Sequence, residues 1–246
     1  DLHRVDRRQR QMCIRDSYTG ISLIIKTRLN TYPLKNMIII NFKNYVAGKK
    51  ALALAKLIEK NFPQAIVAVP SVDIQEIHQK TRLHIFAQHI DAIGGRATGF
   101  LLPETAKAVG AFGTLLNHSE HPLPFRILKN AVPRAHKAGL RVVLCASSIK
   151  EAKKLAILQP EAIAFEDPKL IGSGKSITEF RADEVKKFAQ LFQHSSIAPL
   201  CGAGINKIED VKVAHNLGCH GVLIASAIAA TTQKKAEFFL KELAKI

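Results

Sequence analysis

Short apolar runs alternate along this chain with longer stretches in which apolar residues return every three or four positions. The runs are Ile38–Asn41, Ala65–Val69, Ile85–Ala87, Gly113–Leu116, Arg141–Cys145, Ala162–Phe165, Ile197–Cys201 and Gly221–Ile224. Being short and nearly continuous in Ile, Val, Leu and Ala, they predict strands buried on both faces. The helical period predicts helices near 49–60, 72–80, 103–109, 124–138, 149–158, 182–194, 207–217 and 234–245. Strands alternating with helices are βα units around a parallel sheet, and eight of each favour closure into a (β/α)8 barrel over an open sheet. The 210 residues from Met37 onward lie close to the lower size limit of about 200 for such a barrel. The expectation is a compact single domain of the α/β class.

Residues 1–36 break this rhythm. Arg4, Arg7, Arg8, Arg10 and Arg15 crowd a segment with neither period, and Met37 opens the first apolar run abruptly. We expect translation to start naturally at Met37, with residues 1–36 a leader foreign to the fold, non-native or disordered, and 37–246 the catalytic barrel. The segment Arg10–Asp16 reads as spurious upstream or adapter-derived sequence rather than a targeting peptide; the competing reading is a basic arm that binds a partner.

The chain has 36 Lys or Arg against 20 Asp or Glu, a net charge of +16. Eight of the basic residues lie in residues 1–36, and many others recur on helical stretches such as Lys49 to Lys60 and Lys234 to Lys245, where solvated helix faces explain them. No nucleic-acid partner is expected, although the balance suits anionic metabolites. No apolar run reaches the roughly 18 residues of a membrane span, and no secretion signal is evident. A cytoplasmic protein with no membrane partner is the expectation. Cys13, Cys145, Cys201 and Cys219 form no C-x-x-C pair, which favours buried free thiols over zinc or redox chemistry.

Barrels carry their chemistry at the C-terminal ends of the strands. There the chain has Asn41 and Lys43 after the first strand; Gln88, His89 and Asp91 after the third; and Asn117, His118, Ser119 and Glu120 after the fourth. Glu166 follows the sixth, Gly202-Ala203-Gly204 the seventh, and Ala225-Ser226 the eighth. A lysine, a histidine and a glutamate thus converge on one mouth, beside small-residue turns of the kind that bind phosphate through backbone N–H groups.

Other patterns fail on spacing. Gly174-Lys175-Ser176 imitates the end of a P-loop, but Lys169 stands where its first glycine is required. Gly202-x-Gly204 has Lys207 at the third glycine position of a dinucleotide fingerprint. His118 and His121 are followed by Pro122 and no further ligand, so no metal is expected.

Asn41-Phe42-Lys43-Asn44-Tyr45, Ala87-Gln88-His89-Ile90-Asp91, Leu115-Leu116-Asn117-His118-Ser119-Glu120, Glu166-x-Pro168-x-Leu170-Ile171-Gly172-x-Gly174, Cys201-Gly202-Ala203-Gly204-Ile205 and Gly221-Val222-Leu223-Ile224-Ala225-Ser226 together resemble the triosephosphate isomerase family in its short archaeal form. Thr98-Gly99 followed by Pro103-Glu104 is similar to the same branch. The resemblance runs from Met37 to near the C-terminus.

It implies a TIM barrel that interconverts dihydroxyacetone phosphate and D-glyceraldehyde 3-phosphate through an enediolate, without a cofactor. It further implies Lys43 as the substrate-binding cation, His118 as the electrophile and Glu166 as the proton acceptor, with Glu120 in support. Asn41, Ile171, Gly172, Gly204, Ala225 and Ser226 match substrate-binding positions. Self-association as a dimer or tetramer, through material near Gln88–Thr98, is implied in the same way. Two departures from the pattern stand out. Asp167 and Lys169 interrupt the usual Glu-Pro-Pro-Glu, which should loosen the loop's first hinge, and Ala227 replaces a usual glycine, which should perturb the phosphate turn. The alternative from another class is a phosphate-binding barrel in which those changes have abolished turnover.

Overall fold

The computed structural model describes residues 36–96 and 98–246; the leader expected over 1–36 falls, Asn36 excepted, outside the described residues, as does Cys13. Eight strands among them form a closed barrel in sequence order: β1 Met37–Asn41, β2 Ile66–Val69, β3 His84–Ala87, β4 Gly113–Leu116, β5 Arg141–Ala146, β6 Ala162–Phe165, β7 Ala198–Cys201 and β8 Gly221–Ile224. Every pairing is parallel, and the ring closes where Met37 and Ile40 of β1 stand beside Gly221 and Ile224 of β8. Nearly all strand residues are buried, because side chains on one face fill the barrel and those on the other meet the helices. That double burial is why the strands read as unbroken apolar runs.

The helices are α1 Lys49–Asn61, α2 Ile74–Lys80, α3 Pro103–Ala108, α4 Phe125–Lys137, α5 Ile149–Ala156, α6 Ile177–Phe180, α7 Ala182–Leu191, α8 Ile208–Asn216, α9 Ser226–Ala229 and α10 Gln233–Leu243. Each long one lays a stripe on the barrel: Ala51, Ala55 and Ile58 in α1, and Leu128, Ala131, Val132 and Ala135 in α4. Ser148 caps α5 by accepting the Glu151 N–H, and Thr232 caps α10 through the Lys235 N–H. The periodicity missed α6 and α9, since a four-residue helix completes barely one turn. The helix expected over 72–80 opens instead with a 3-10 turn, Ser71–Asp73, a common tightening of a first turn.

Far from the strand ends that bear the candidate chemistry, His136 of α4 meets Glu161, which also accepts the Val142 N–H. The Glu161 carboxylate raises the His136 pKa against the pull of burial. Burial pushes Glu161 up, but its hydrogen bonds from His136 and Val142 outweigh it and leave the carboxyl below its ordinary value. A raised histidine pKa stabilises below the unfolded value, near 6.5, and that contribution is lost as pH rises through the folded value. A depressed carboxyl pKa stabilises above about 4.5 and is lost as pH falls through the folded value. The melting-temperature gap between the wild type and His136→Gln is therefore expected to peak in the window between these two pKa values and to shrink on either side, as followed by thermal denaturation from about pH 4 to about pH 9.

Candidate active site

The site is built at the C-terminal mouth. Lys43 follows β1 in the left-handed region, φ 46°, and three hydrogen bonds hold it there. Its N–H donates to Asn41 Oδ1 (3.0 Å), and Gln88 Nε2 donates to both Asn41 Oδ1 (3.2 Å) and the Lys43 carbonyl (3.0 Å). The ammonium donates to Glu120 Oε1 at 2.7 Å, which uses one of its three protons and leaves two for a ligand.

His118 is aimed by its neighbour Asn117, also left-handed at φ 60° and buried. Asn117 Nδ2 donates to the Cys145 carbonyl and to Glu151 Oε1, and Asn117 Oδ1 accepts the Leu123 N–H, each at 2.9 Å. The residue thereby ties the end of β4 to the end of β5 and the first turn of α5. His118 Nδ1 accepts the Glu120 N–H at 3.2 Å. A nitrogen that accepts carries no proton, so the ring proton sits on Nε2, which lies 3.6 Å from Glu166 Oε2.

Glu166 stands at the end of β6, its N–H held by the Ala146 carbonyl (3.0 Å). The side chain is buried, and Oε2 has no hydrogen-bond partner among the described residues. A buried carboxylate oxygen with its lone pairs unspent is costly in a folded protein, and it is the atom a proton-accepting role requires. Burial, with the negative charge of Glu166 adding to it, pushes the Cys145 thiol well up, so it stays protonated. Gly202 leaves room for the carboxylate: a Cβ there would come within 2.6 Å of Glu166 Oε1.

Across the mouth, Ile171 and Gly172 of the loop after β6 face the turns after β7 and β8. Gly204 is left-handed at φ 71°, and a Cβ on it would fall 1.9 Å from the Lys175 carbonyl, so the loop's far end packs directly on this turn. Ala225 precedes α9, whose first N–H groups lack intrahelical acceptors. Asn41, Lys43, His118, Glu166, Ile171, Gly172, Gly204, Ala225 and Ser226 all line one depression, together with Tyr45, Ala203, Ile205 and Leu223. Glu120 accepts from the Lys43 ammonium but is not among the lining residues. His89 and Asp91 are outside it too: His89 stacks on His121 (4.1 Å between centroids) and bonds to Asp91. Among the described residues no group of three His, Cys, Asp or Glu side chains is placed to hold a metal ion.

Sequence reasoning passed over Tyr45, Gln88, Asn117 and Gly202 as working parts. Tyr45 and Gln88 sit within the motifs already quoted, and their strand-end positions were a usable signal. The fit of Gly202 beneath Glu166 joins two strands and has no local signature.

The two departures from the archaeal pattern are accommodated. Asp167 Oδ1 accepts the Lys169 N–H (2.9 Å) and Asp167 Oδ2 accepts Arg181 Nε (3.1 Å); the loop start expected to be loosened is tied by side-chain bonds instead of by a second proline ring. Ala227 lies within α9, and its φ is not positive, so its methyl imposes no backbone strain.

A family model described as triosephosphate isomerase matches residues 36–243. The chain is 38% identical over 210 residues to the triosephosphate isomerase of Methanobacterium bryantii, an alignment covering 81% of this chain and 93% of that protein. It is 34% identical over 218 residues to that of Methanocaldococcus jannaschii, covering 85% and 99%, and 37% identical over 214 residues to that of Saccharolobus solfataricus, covering 83% and 94%. A crystal structure of triosephosphate isomerase from Bartonella henselae superposes with a TM-score of 0.64 at 18% identity, covering 86% of this chain and 98% of that one, which is a likeness of fold. Among the described residues, no helix is long and apolar enough to cross a membrane.

Proposed function

The chain belongs to the triosephosphate isomerase family, and on that premise we propose that Glu166, His118 and Lys43 carry the proton transfers that interconvert dihydroxyacetone phosphate and D-glyceraldehyde 3-phosphate. The observation that carries this reading is the unpartnered Glu166 Oε2 lying 3.6 Å from His118 Nε2 in a depression that Lys43 also lines.

The substrate phosphate sits against Gly172, Gly204, Ala225 and Ser226, where backbone N–H groups supply the donors. Its two oxygen-bearing carbons then lie between Glu166 and His118. Glu166 takes a proton from C1 of dihydroxyacetone phosphate, the C1–H electron pair becomes the C1–C2 double bond, and the carbonyl π pair moves onto O2. The Lys43 ammonium and the His118 Nε2–H stabilise that oxygen. His118 gives its proton to O2 and takes one from O1, and Glu166 returns a proton to C2 to complete the aldehyde. The electrons stay within the substrate, so the reaction needs no cofactor. The Ile171-Gly172 stretch shields the enediolate from water.

The same reading makes the protein a cytoplasmic enzyme whose catalytic unit is the barrel of residues 37–246. It self-associates as a dimer or tetramer through the segment near Gln88–Thr98, where Ile93 is exposed and Phe100 stands close by in the sequence with an exposed ring.

In a coupled assay the full chain is expected to turn over both triose phosphates and to be inhibited by phosphoglycolate, an enediolate mimic. Binding of phosphoglycolate without turnover would instead favour a phosphate-binding barrel.

A further inference from the structure

The loop between β6 and α6 is fastened unequally along its length. At its far end the Ile177 N–H donates to the Ala203 carbonyl (3.1 Å), and the hydroxyls of Ser176 and Thr178 run on to Asp210 (2.7 and 3.3 Å). Asp210 in turn accepts the Asn206 and Lys207 N–H groups. From 168 to 175, by contrast, the hydrogen bonds among described residues stay within the loop: Lys169 and Leu170 to Asp167, Ser173 to Leu170, and Lys175 to Ser173. Gly172 and Gly174 are both left-handed with open space where a Cβ would project. What fixes the near end is Asp167. Its two carboxylate oxygens divide the work, Oδ1 closing the turn onto Lys169 and Oδ2 reaching Arg181, a residue 14 positions on and past the far hinge. The Asp167 side chain is 15% exposed and that of Arg181 41%, so solvent screens the pair on its Arg181 side. It forms while Ile171 and Gly172 line the pocket.

We propose that Asp167 and Arg181 form a latch that joins the two hinges of the loop and holds its tip over the substrate, making both of them positioning residues. The proposal rests on the isomerase reading of the pocket. Asp167→Asn keeps an oxygen for the Lys169 turn but sets an amide against the Arg181 donor; Arg181→Gln removes the latch without touching the loop. Arg181 also pairs with Glu184 at 3.0 Å, so Glu184→Gln separates that contact from the latch.

The test measures phosphoglycolate affinity, KM and kcat, together with amide hydrogen exchange over 168–175 in the ligand-free full chain. Asp167→Asn and Arg181→Gln are each expected to weaken phosphoglycolate binding by about 3- to 10-fold. Each should raise KM more than it lowers kcat and quicken exchange in the loop. The double variant should be no worse than either single one, Arg181→Lys should recover part of the loss, and Glu184→Gln should match the wild type. Singles whose effects add in the double variant, or a Glu184→Gln loss equal to that of Arg181→Gln, would overturn the latch. Unchanged loop exchange would overturn it as well, even in a fully active enzyme. A wild type that neither isomerises nor binds phosphoglycolate would overturn the pocket reading, and the exchange result would still decide the latch.

Discussion

Glu166→Gln is expected to lower kcat by about 1,000-fold or more while the protein folds as before. The amide has the size of the carboxylate but lacks its basicity, and among the described residues no other carboxylate lines the depression. KM is expected to change little, because the phosphate contacts proposed for Gly172, Gly204 and Ser226 do not involve the substituted side chain; an effect confined to kcat is the mark of an interaction made in the transition state. Stability should hold or rise, since Glu166 Oε2 is buried without a hydrogen-bond partner, and a neutral amide is cheaper to bury than a charge. Steady-state kinetics and thermal denaturation on one preparation check both halves. A variant that retains more than a tenth of wild-type kcat would remove Glu166 from the base role.

The second large effect is expected at Gly202→Ala, a residue that the mechanism never touches. Its φ is not left-handed, so the backbone accepts alanine, but the new methyl would stand 2.6 Å from Glu166 Oε1 and 2.7 Å from Glu166 Cγ. Real Cβ atoms do not approach so closely, and Glu166 is the movable partner. It must swing off by a fraction of an ångström to an ångström, and misplacement on that scale costs about 100-fold in rate. The expected result is a kcat loss of that order with an unchanged KM and a melting temperature near that of the wild type. An unchanged kcat would mean that the position of the carboxylate is not set by the floor beneath it.

The barrel was legible because a parallel strand covered on both faces has nowhere to place polar residues. Runs such as Ala162–Phe165 and Gly221–Ile224 are therefore apolar throughout and end sharply. The proposed reacting residues stood out for a related reason: Lys43, His118 and Glu166 follow the ends of such runs, and the structure brings all three to one depression. What could not be read are side-chain arrangements between distant segments. Asp167 looked like a lost proline, and its compensation depends on Arg181, which is remote in sequence and close only once α6 has turned. Asn117 looked like one more strand-end polar residue, yet it spans β4, β5 and α5. The shortest helices, Ile177–Phe180 and Ser226–Ala229, were missed because a period needs more than one turn to show. Each of these belongs to tertiary packing, which periodicity does not encode.

The most direct test of the central claim, that Glu166 relays a carbon-bound proton through an enediolate, is to run the isomerisation of dihydroxyacetone phosphate in D2O and locate the label by NMR. A carboxylate that exchanges its proton with solvent should deliver deuterium to C2 of the glyceraldehyde 3-phosphate formed. Product carrying deuterium at C2 is the predicted result. Product formed with no deuterium at C2, or no product at all, would contradict the account.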